Sequence, residues 1–236
     1  MKIFVTGGTG YIGSHTVVEL QKNGYDVIIA DNLVNSSLEV LDGIEKITGI
    51  RPEFEEIDLT DGEVTRDFFA RHSDIRAVIH FAALKAVGES VNKPLEYYFN
   101  NLNSLMNVLT CMREFKVPNL VFSSSCTVYG QADVLPVTEK TPRHEAESPY
   151  GNTKVMSEDI IRDLMRVEPD MKALALRYFN PIGAHPTAFI GELPNGVPNN
   201  LIPYLTQTAI GIREQLSVFG DDYDTPDGSC IRDFIN

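Results

Sequence analysis

Short apolar segments alternate with longer amphipathic segments along most of the chain. Six segments contain runs of Val, Ile, Leu, Phe and Ala, interrupted by three Glu in the third, and predict strands buried on both faces, at residues 2–6, 26–30, 53–57, 77–82, 119–123 and 172–177. Between them, apolar residues recur at helical spacing and predict helices at residues 12–23, 37–47, 61–72, 94–115 and 150–167. Strands separated by helices pair in parallel through right-handed crossovers, so the pattern predicts a doubly wound α/β sheet.

The pattern changes after Phe179. Residues 180–200 contain four Pro and three Gly and give few strand signals, and residues 201–212 predict a helix. We therefore predict a first domain over residues 1–179 and the start of a smaller second region over residues 180–236. The final residues, 230–236, are largely apolar and carry no polar tail, so we expect the chain to stop within a domain.

Composition excludes several classes of protein. The 236 residues are 43% hydrophobic and 22% charged, as in an ordinary globular protein. Lys and Arg number 20 against 33 Asp and Glu, and this net charge of −13 disfavours nucleic acid or an anionic membrane as partner. Three cysteines without a Cys-x-x-Cys pair indicate neither a disulfide framework nor a zinc site, and favour a reducing cytoplasm. No apolar run approaches the ~20 residues that span a bilayer.

A glycine-rich turn follows the first predicted strand. Gly7, Gly10 and Gly13 are spaced Gly-x-x-Gly-x-x-Gly between that strand and the first helix. Such glycines permit a tight turn, the approach of a pyrophosphate to the backbone, and close packing of the helix on the sheet. The free amides at the helix start then face the anion. This context predicts a dinucleotide-binding Rossmann arrangement.

Two acidic residues end the next strands. Asp31 lies 18 residues beyond Gly13, where an acid accepts hydrogen bonds from the adenosine ribose and repels a 2′-phosphate, which favours NAD over NADP. Asp58 closes the third strand and is interpreted equally well as an acceptor for the adenine amino group or as part of a surface turn with residues 59–61.

A catalytic constellation follows the fifth strand. Ser123, Ser124 and Ser125 close that strand, and Tyr150 and Lys154 lie four residues apart at a helix start, on one face. A neighbouring ammonium and an oxidised nicotinamide would favour the phenolate, so we expect the pKa of Tyr150 to fall toward neutrality. Ser125 would hold the reacting hydroxyl. The residues therefore predict an NAD-dependent enzyme with Tyr150 as its base.

At this point the chain resembles the extended short-chain dehydrogenase/reductase family and, within it, the C4 epimerases of UDP-hexoses. The segments that carry the resemblance are residues 6–13, 80–90, 123–130, 148–154, 177–181 and 198–201. The glycine turn and the Tyr-Lys pair define only the superfamily, whereas Ala-Val-Gly-Glu-Ser (86–90) and Pro-Asn-Asn-Leu (198–201) are more specific. The family pattern has Ala where this chain has Cys126, which we interpret as a buried filler.

The resemblance implies further site residues. For the cofactor it adds Tyr11, Ile12, Asn32, Ser36, Leu59, Phe81, Ala82, Leu84, Lys85, Asn100 and Phe179 to the glycines, Asp31, Asp58, Tyr150 and Lys154. For a UDP-sugar it implies Ser125, Tyr150, Asn180, Asn200, Leu201, Val218, Phe219 and Arg232. It also implies a homodimer formed through the two long helices, 94–115 and 150–167.

The activity implied is the NAD-dependent interconversion of UDP-glucose and UDP-galactose, by oxidation at C4, rotation of the 4-keto sugar and re-reduction. An epimerase of an N-acetylated or uronic UDP-sugar, and a non-catalytic NAD-binding fragment or regulator, remain alternatives. A 4,6-dehydratase is disfavoured, since Cys126 and Thr127 stand where that chemistry uses Asp and Glu. Family members continue past the segment that matches residues 231–236 and draw further UDP contacts from there, so we expect this chain to lack the C-terminal part and to epimerise weakly or not at all.

Overall fold

The computed structural model describes residues 1–235, which form a parallel sheet flanked by helices. The strands are β1 (Lys2–Thr6), β2 (Asp26–Asp31), β3 (Glu53–Glu56), β4 (Ile75–His80), β5 (Asn119–Ser123), β6 (Lys172–Leu176), β7 (Asn180–Pro181) and β8 (Phe234–Ile235). The helices are α1 (Tyr11–Lys22), α2 (Glu39–Thr48), α3 (Gly62–Arg71), α4 (Val87–Asn92), α5 (Pro94–Glu114), α6 (Pro149–Val167) and α7 (Leu201–Ala209), with one 3₁₀ turn at Cys126–Tyr129.

The six long strands form one sheet in the order β3-β2-β1-β4-β5-β6, and every neighbouring pair is parallel. The order reverses between β1 and β4, and ligands of such sheets bind at the carboxyl ends of the strands at this reversal. The predicted doubly wound α/β fold is confirmed. Among the helices of residues 1–235, none combines the length and the hydropathy that crossing a membrane requires.

The sheet has an apolar core on each face because side chains alternate along its strands. Phe4 of β1 points into the cluster that includes Phe68 and Leu105 of α3 and α5. Val5, the next residue, belongs to the opposite cluster with Ile44 of α2. The central strands are thus covered on both sides, as expected from their apolar composition.

The expectation of strands buried on both faces is wrong for the two edges of the sheet. All five residues of β6 are exposed, and β3 has two adjacent half-buried residues between exposed ends. Each of these strands has a neighbour on one side only. The interpretation as apolar strands therefore did not distinguish an edge from the centre, and it was least suited to β3, where Glu occupies three of the four positions.

The boundaries of two other predicted elements also shift. β4 begins two residues earlier than predicted, at Ile75, and ends at His80, so that Phe81 and Ala82 lie in the loop beyond it. The last helix ends at Ala209 rather than at residue 212, ahead of Gly211, which has φ of +80°. The short helix α4, the 3₁₀ turn and the pairing of β7 with β8 were not predicted.

The region after residue 179 is tied to the sheet domain by packing. Ile190 is buried in the same cluster as Leu41 and Ile44. The backbone of Phe189 lies so close to α2 that a Cβ on Gly43 would stand 2.3 Å from its oxygen. The loop between β7 and α7 therefore covers one face of α2.

Two glycines are required by close backbone contacts in the turn after β1. Gly7 has φ of +67°, and a Cβ there would lie 2.8 Å from the backbone nitrogen of Ala82. A Cβ on Gly13 would lie 2.2 Å from the carbonyl oxygen of Gly7 and 2.8 Å from the Cα of Gly8. No side chain larger than hydrogen fits at either position, so the loop after β4 and the helix α1 both lie directly against this turn.

Replacement of Gly13 by alanine should destabilise the protein. Since the clashing atoms are backbone, the turn has to shift, and we expect a loss of about 1–3 kcal/mol in the free energy of unfolding, measured by urea denaturation. Gly88 is the matched control, because its Cβ would meet no atom within 4 Å. Gly88→Ala should change the stability by less than about 1 kcal/mol. Equal stabilities for the two variants would contradict the described contact.

Candidate active site

The glycine-rich turn opens α1 at the carboxyl edge of the sheet. Gly10 precedes the helix, its amide donates to the carbonyl oxygen of Gly7 at 3.1 Å, and no side chain caps the helix start. Tyr11 and Ile12 form the first turn, which contains no acidic residue. The Tyr11 hydroxyl donates to the carbonyl oxygen of Gly183 at 2.8 Å. The amides of this turn are available to an anion such as a pyrophosphate.

Asp31 lies at the end of β2, beside this turn. Its carboxylate accepts hydrogen bonds from the Thr9 hydroxyl at 2.6 Å and from the Leu33 amide at 3.0 Å. Ser36 completes the cluster, since its hydroxyl lies 2.7 Å from that of Thr9. Asn32 is used locally, accepting from the amide of Val34. The contact through Thr9 links Asp31 to the glycine turn, so both can face one dinucleotide.

Asp58 and Leu59 are placed differently from each other. The Asp58 carboxylate accepts from the amide and the hydroxyl of Thr60, at 2.9 and 2.8 Å, which is the surface turn of the second interpretation. The side chain of Leu59 is buried in the core and its carbonyl oxygen accepts from Asn107. The implied role of Leu59 at adenine is therefore not one for its side chain, because that side chain packs inside the sheet domain.

The loop after β4 is fixed to β1. The Phe81 amide donates to the carbonyl oxygen of Thr6, and the Ala82 amide donates to the Thr6 hydroxyl, both at 3.1 Å. The same hydroxyl lies 2.9 Å from Nδ1 of the buried His80. Phe81 and Ala82 are thereby held against the glycine turn, where a cofactor cleft was expected.

A buried asparagine that the sequence analysis did not single out fixes the rest of this loop. Asn101 exchanges two hydrogen bonds with the backbone of Leu84, at 2.8 and 3.0 Å. It also donates to the Thr153 hydroxyl of α6 and accepts from Asn100. Of the two adjacent asparagines on α5, Asn100 was predicted and Asn101 positions the loop. Asn101 differs from Asn100 by its burial, since it is 5% exposed and lies among buried residues of α5.

Lys85 and Asn200 meet at one acidic residue. The Lys85 ammonium lies 3.3 Å from a carboxylate oxygen of Glu192, and the Asn200 side chain donates to the same oxygen. Leu201, the first residue of α7, follows directly. Glu192, which was not predicted, thus joins a predicted cofactor residue to a predicted substrate residue.

Tyr150 stands in the first turn of α6. Ser148 caps this helix by accepting from the amide of Gly151 at 3.1 Å, and Pro149 occupies its first position. One turn later, the Lys154 ammonium donates to the carbonyl oxygen of Ser123 at 2.8 Å. The hydrogen bond from this lysine holds α6 to the end of β5, which brings the Ser125 hydroxyl next to that of Tyr150.

Burial dominates the electrostatics of this site. It lowers the pKa of Lys154 to about 8 and, with the neighbouring ammonium, that of His80 to about 3. It raises the pKa of Tyr150 to about 12, although the Ser125 hydroxyl acts in the opposite direction. The expectation that Lys154 and an oxidised nicotinamide together bring the pKa of Tyr150 toward neutrality stays a prediction, since the protein side chains by themselves raise this pKa. The ammonium is committed to Ser123 and lies 5.7 Å from the centre of the Tyr150 ring.

Only some of the residues predicted to bind the sugar and UDP lie close to one another in the structure. The Asn180 side chain donates to the carbonyl oxygen of Asp233 at 2.9 Å, and the pairing of β7 with β8 brings the neighbouring Arg232 to the same edge. Phe179, half-buried, connects β6 to this pair. Val218 and Phe219 are 79% and 92% exposed, so they contribute no buried wall to the site.

The described residues fit a nicotinamide dinucleotide. The turn has a left-handed glycine and a helix start free of side-chain caps and acids, which suits the pyrophosphate. Asp31 lies beside the turn for a ribose. Lys154 and Tyr150 lie at the end of β5, which β4 separates from β1 in the sheet, for the nicotinamide half. All of these groups follow β1, β2 or β5 at one edge of the sheet.

Comparison with known proteins agrees with this geometry. Residues 3–236 match the model of the NAD dependent epimerase/dehydratase family. The chain belongs to this family. It is 52% identical to a UDP-glucose 4-epimerase of Dictyostelium discoideum over 235 residues and 53% identical to one of Bacillus subtilis over 236, covering all of this chain and 68% and 69% of the relatives.

A solved structure supports the fold and the resemblance. The UDP-glucose 4-epimerase of Bifidobacterium longum, crystallised with NAD⁺ and UDP, has a TM-score of 0.96 and 47% identity. The match covers 100% of this chain and 70% of that one. The resemblance inferred from the sequence motifs is confirmed.

Replacement of Lys154 by methionine should change how stability depends on pH. Burial lowers the pKa of Lys154 to about 8, below its ordinary value of 10.5, so the unfolded chain binds more protons than the folded one between these values. The free energy of unfolding of the wild type should therefore rise relative to that of K154M, by about 1–2 kcal/mol between pH 7 and pH 9.5 in urea titrations.

The exposed Lys140 provides the control for this measurement. The difference in stability between the wild type and Lys140→Met should stay constant over the same pH range. A constant difference for K154M as well would show that Lys154 is not buried as an ammonium.

Proposed function

We propose that this chain catalyses the NAD-dependent interconversion of UDP-glucose and UDP-galactose by inversion at C4. The observation that carries the proposal is the hydrogen bond of the Lys154 ammonium to the carbonyl oxygen of Ser123, which holds α6 and Tyr150 against the segment that ends in Ser125. The glycine turn and Asp31 lie at the same edge of the sheet. The relatives that this chain matches at about half of all positions are named for this reaction.

Tyr150 is the proposed acid–base residue. Bound NAD supplies an acceptor and donor for hydride at C4, and its oxidised ring carries a positive charge. The Tyr150 phenolate takes the proton of the 4-hydroxyl as C4 is oxidised and returns it when C4 is reduced. Ser125 orients the reacting oxygen by a hydrogen bond. The Tyr150 oxygen therefore both accepts the proton from the sugar and returns it. Because the hydride also returns to C4, no net oxidation results.

The raised pKa of Tyr150 makes the local charge decisive. At neutral pH a phenol with a pKa near 12 is almost never ionised. Lys154, with a pKa of about 8, is charged at that pH and favours the phenolate, as does a second positive charge brought against the ring. Tyr150 is thus proposed to be ionised, and able to act as a base, only when the cofactor side of the cleft is filled.

A dehydratase, the other activity in the family description, is disfavoured by the residues after Ser125. Elimination of water needs an acid and a base close to the sugar. Cys126 and Thr127 begin the 3₁₀ turn here, and burial raises the pKa of the Cys126 thiol. Neither side chain supplies a carboxyl group. Tyr150 of α6 is therefore left as the acid–base residue near Ser125.

Replacement of Tyr150 by phenylalanine tests the proposal. We expect the wild type to convert UDP-galactose into UDP-glucose at the weak rate predicted from the sequence, and Tyr150→Phe to lose at least about 100-fold in kcat, since proton transfer is removed. NAD binding, followed by protein fluorescence or calorimetry, should be retained. The exposed Tyr25→Phe is the control and should keep full activity. Wild-type-like turnover by Tyr150→Phe would contradict the proposed role.

The same assay with UDP-N-acetylgalactosamine and a uronic UDP-sugar separates the related epimerases. We propose the unmodified hexose as the substrate, because the relatives with about 52% identity carry that name. We further propose that residues 180–235 begin the substrate region, with Asn180, Asn200, Leu201 and Arg232 facing the UDP group. Val218 and Phe219 would join them only when UDP is bound, given their present exposure.

We also propose that the protein forms a homodimer and acts in the reducing cytoplasm. Leu95, Phe99 and Met106 lie on one face of α5 and are 81%, 62% and 41% exposed, and Met156 of the packed helix α6 is 39% exposed. The three cysteines are free, which suits a reducing compartment.

Sedimentation should show a dimer that depends on this apolar face. We expect Leu95→Ser combined with Phe99→Ser to sediment as a monomer, because the exposed apolar area is removed without disturbing the core. Val134→Ser, at an exposed loop position, is the control and should remain dimeric. A monomeric wild type would contradict the proposed assembly.

A further inference from the structure

A buried carboxylate on α6 is not used by the proposed chemistry. Glu158 lies one turn after Lys154 and two turns after Tyr150, on the same face of the helix. It is 8% exposed, and its Oε1 accepts a hydrogen bond from the Ser124 hydroxyl at 2.6 Å. A buried carboxylate is costly unless it is paired, so its place beneath the serine segment requires an explanation.

Two arginines balance the charge of Glu158. Arg177, just after β6, donates to both carboxylate oxygens at 2.8 and 2.6 Å. Arg143 approaches from the loop before α6, with Nη1 3.6 Å from Oε2. The Arg177 guanidinium also lies over the ring of Tyr129, 4.9 Å from its centre, in the 3₁₀ turn that follows Ser125. Glu158 is therefore held in one orientation by elements on both sides of the serine segment.

The three consecutive serines each contact a different partner. The carbonyl oxygen of Ser123 accepts from Lys154, the hydroxyl of Ser124 donates to Glu158, and the hydroxyl of Ser125 lies next to that of Tyr150. The first two contacts bind the segment to successive turns of α6. The third is the contact on which the proposed reaction depends, and Ser125 lies beyond the last paired residue of β5.

We propose that Glu158 is a positioning residue, which sets the distance between the Ser125 and Tyr150 hydroxyls through its hydrogen bond to Ser124. This inference rests on the proposed epimerase function for its catalytic consequence, but its structural part stands without it. Arg177 acts as the fixed support of the carboxylate, and Arg143 completes its charge balance. Loss of the bond to Ser124 frees the loop to move away from α6.

Two variants separate positioning from simple stabilisation. Glu158→Gln keeps the volume but breaks the bidentate ion pair, whereas Ser124→Ala removes only the hydrogen bond and leaves Glu158 paired with Arg177. In both, we expect kcat for UDP-galactose to fall about tenfold or more with KM changed little, because orientation in the transition state is lost rather than substrate affinity. The control is Asp163→Asn, which removes an exposed carboxylate of the same helix.

Amide hydrogen exchange supplies a readout that needs no turnover. In the described structure the Cys126 amide donates to the carbonyl oxygen of Tyr178, and the Thr127 amide donates to the Ser125 hydroxyl. We expect faster exchange over residues 124–128 in Glu158→Gln and Ser124→Ala, and unchanged exchange in Asp163→Asn. The comparison uses wild type and variants at equal NAD saturation.

The outcomes are distinguishable. Unchanged exchange in Ser124→Ala would overturn the proposal and leave Glu158 as part of a structural ion pair, as would an unchanged kcat in an active protein. A wild type that does not epimerise would remove the proposed function, and the exchange measurement would still decide whether Glu158 positions the loop. Faster exchange together with lower kcat at constant KM supports both the positioning role of Glu158 and the proposed function.

Discussion

The hydrogen bond from the buried Lys154 ammonium to the carbonyl oxygen of Ser123 is the contact on which the site depends. It is 2.8 Å long and joins α6 to the end of β5. Because a buried ammonium must be hydrogen-bonded, the lysine cannot leave this acceptor cheaply. Tyr150 and Glu158, one turn to either side of Lys154, are consequently held against the serine segment. The proposed chemistry thus depends on a helix that Lys154 and Glu158 both hold against the serine segment.

The glycine turn imposes the second constraint, from the other side of the crevice. Gly7 allows the loop after β4 to lie against the glycine turn, and Gly13 allows α1 to do the same. In both places the space is too small for a methyl group. The uncapped start of α1 follows this turn, and Thr9 of the turn donates a hydrogen bond to Asp31. Dense packing and anion binding therefore require the same residues, which explains why this segment of the sequence is so informative.

Burial makes the ionisation of Tyr150 depend on the charges around it. Removing Tyr150 from water raises its pKa to about 12, so the residue is inactive as a base until positive charge surrounds it. Lys154 supplies one charge at neutral pH, and burial has already lowered its own pKa to about 8. In the proposed function, Tyr150 is therefore ionised and able to accept a proton only in the loaded site.

Local patterns along the sequence determined the sheet, the order of its elements, the glycine turn and the spacing of Tyr150 and Lys154, because these depend on side-chain periodicity and backbone sterics within a few residues. Only the tertiary structure decided which strands lie at the edges, that Leu59 packs in the core, and that Asn101, Glu158 and Glu192 orient the loops. It also decided the direction in which the pKa of Tyr150 shifts. These properties depend on burial and on partners tens of residues away, such as Arg177 for Glu158, and no local pattern encodes the distance between such groups.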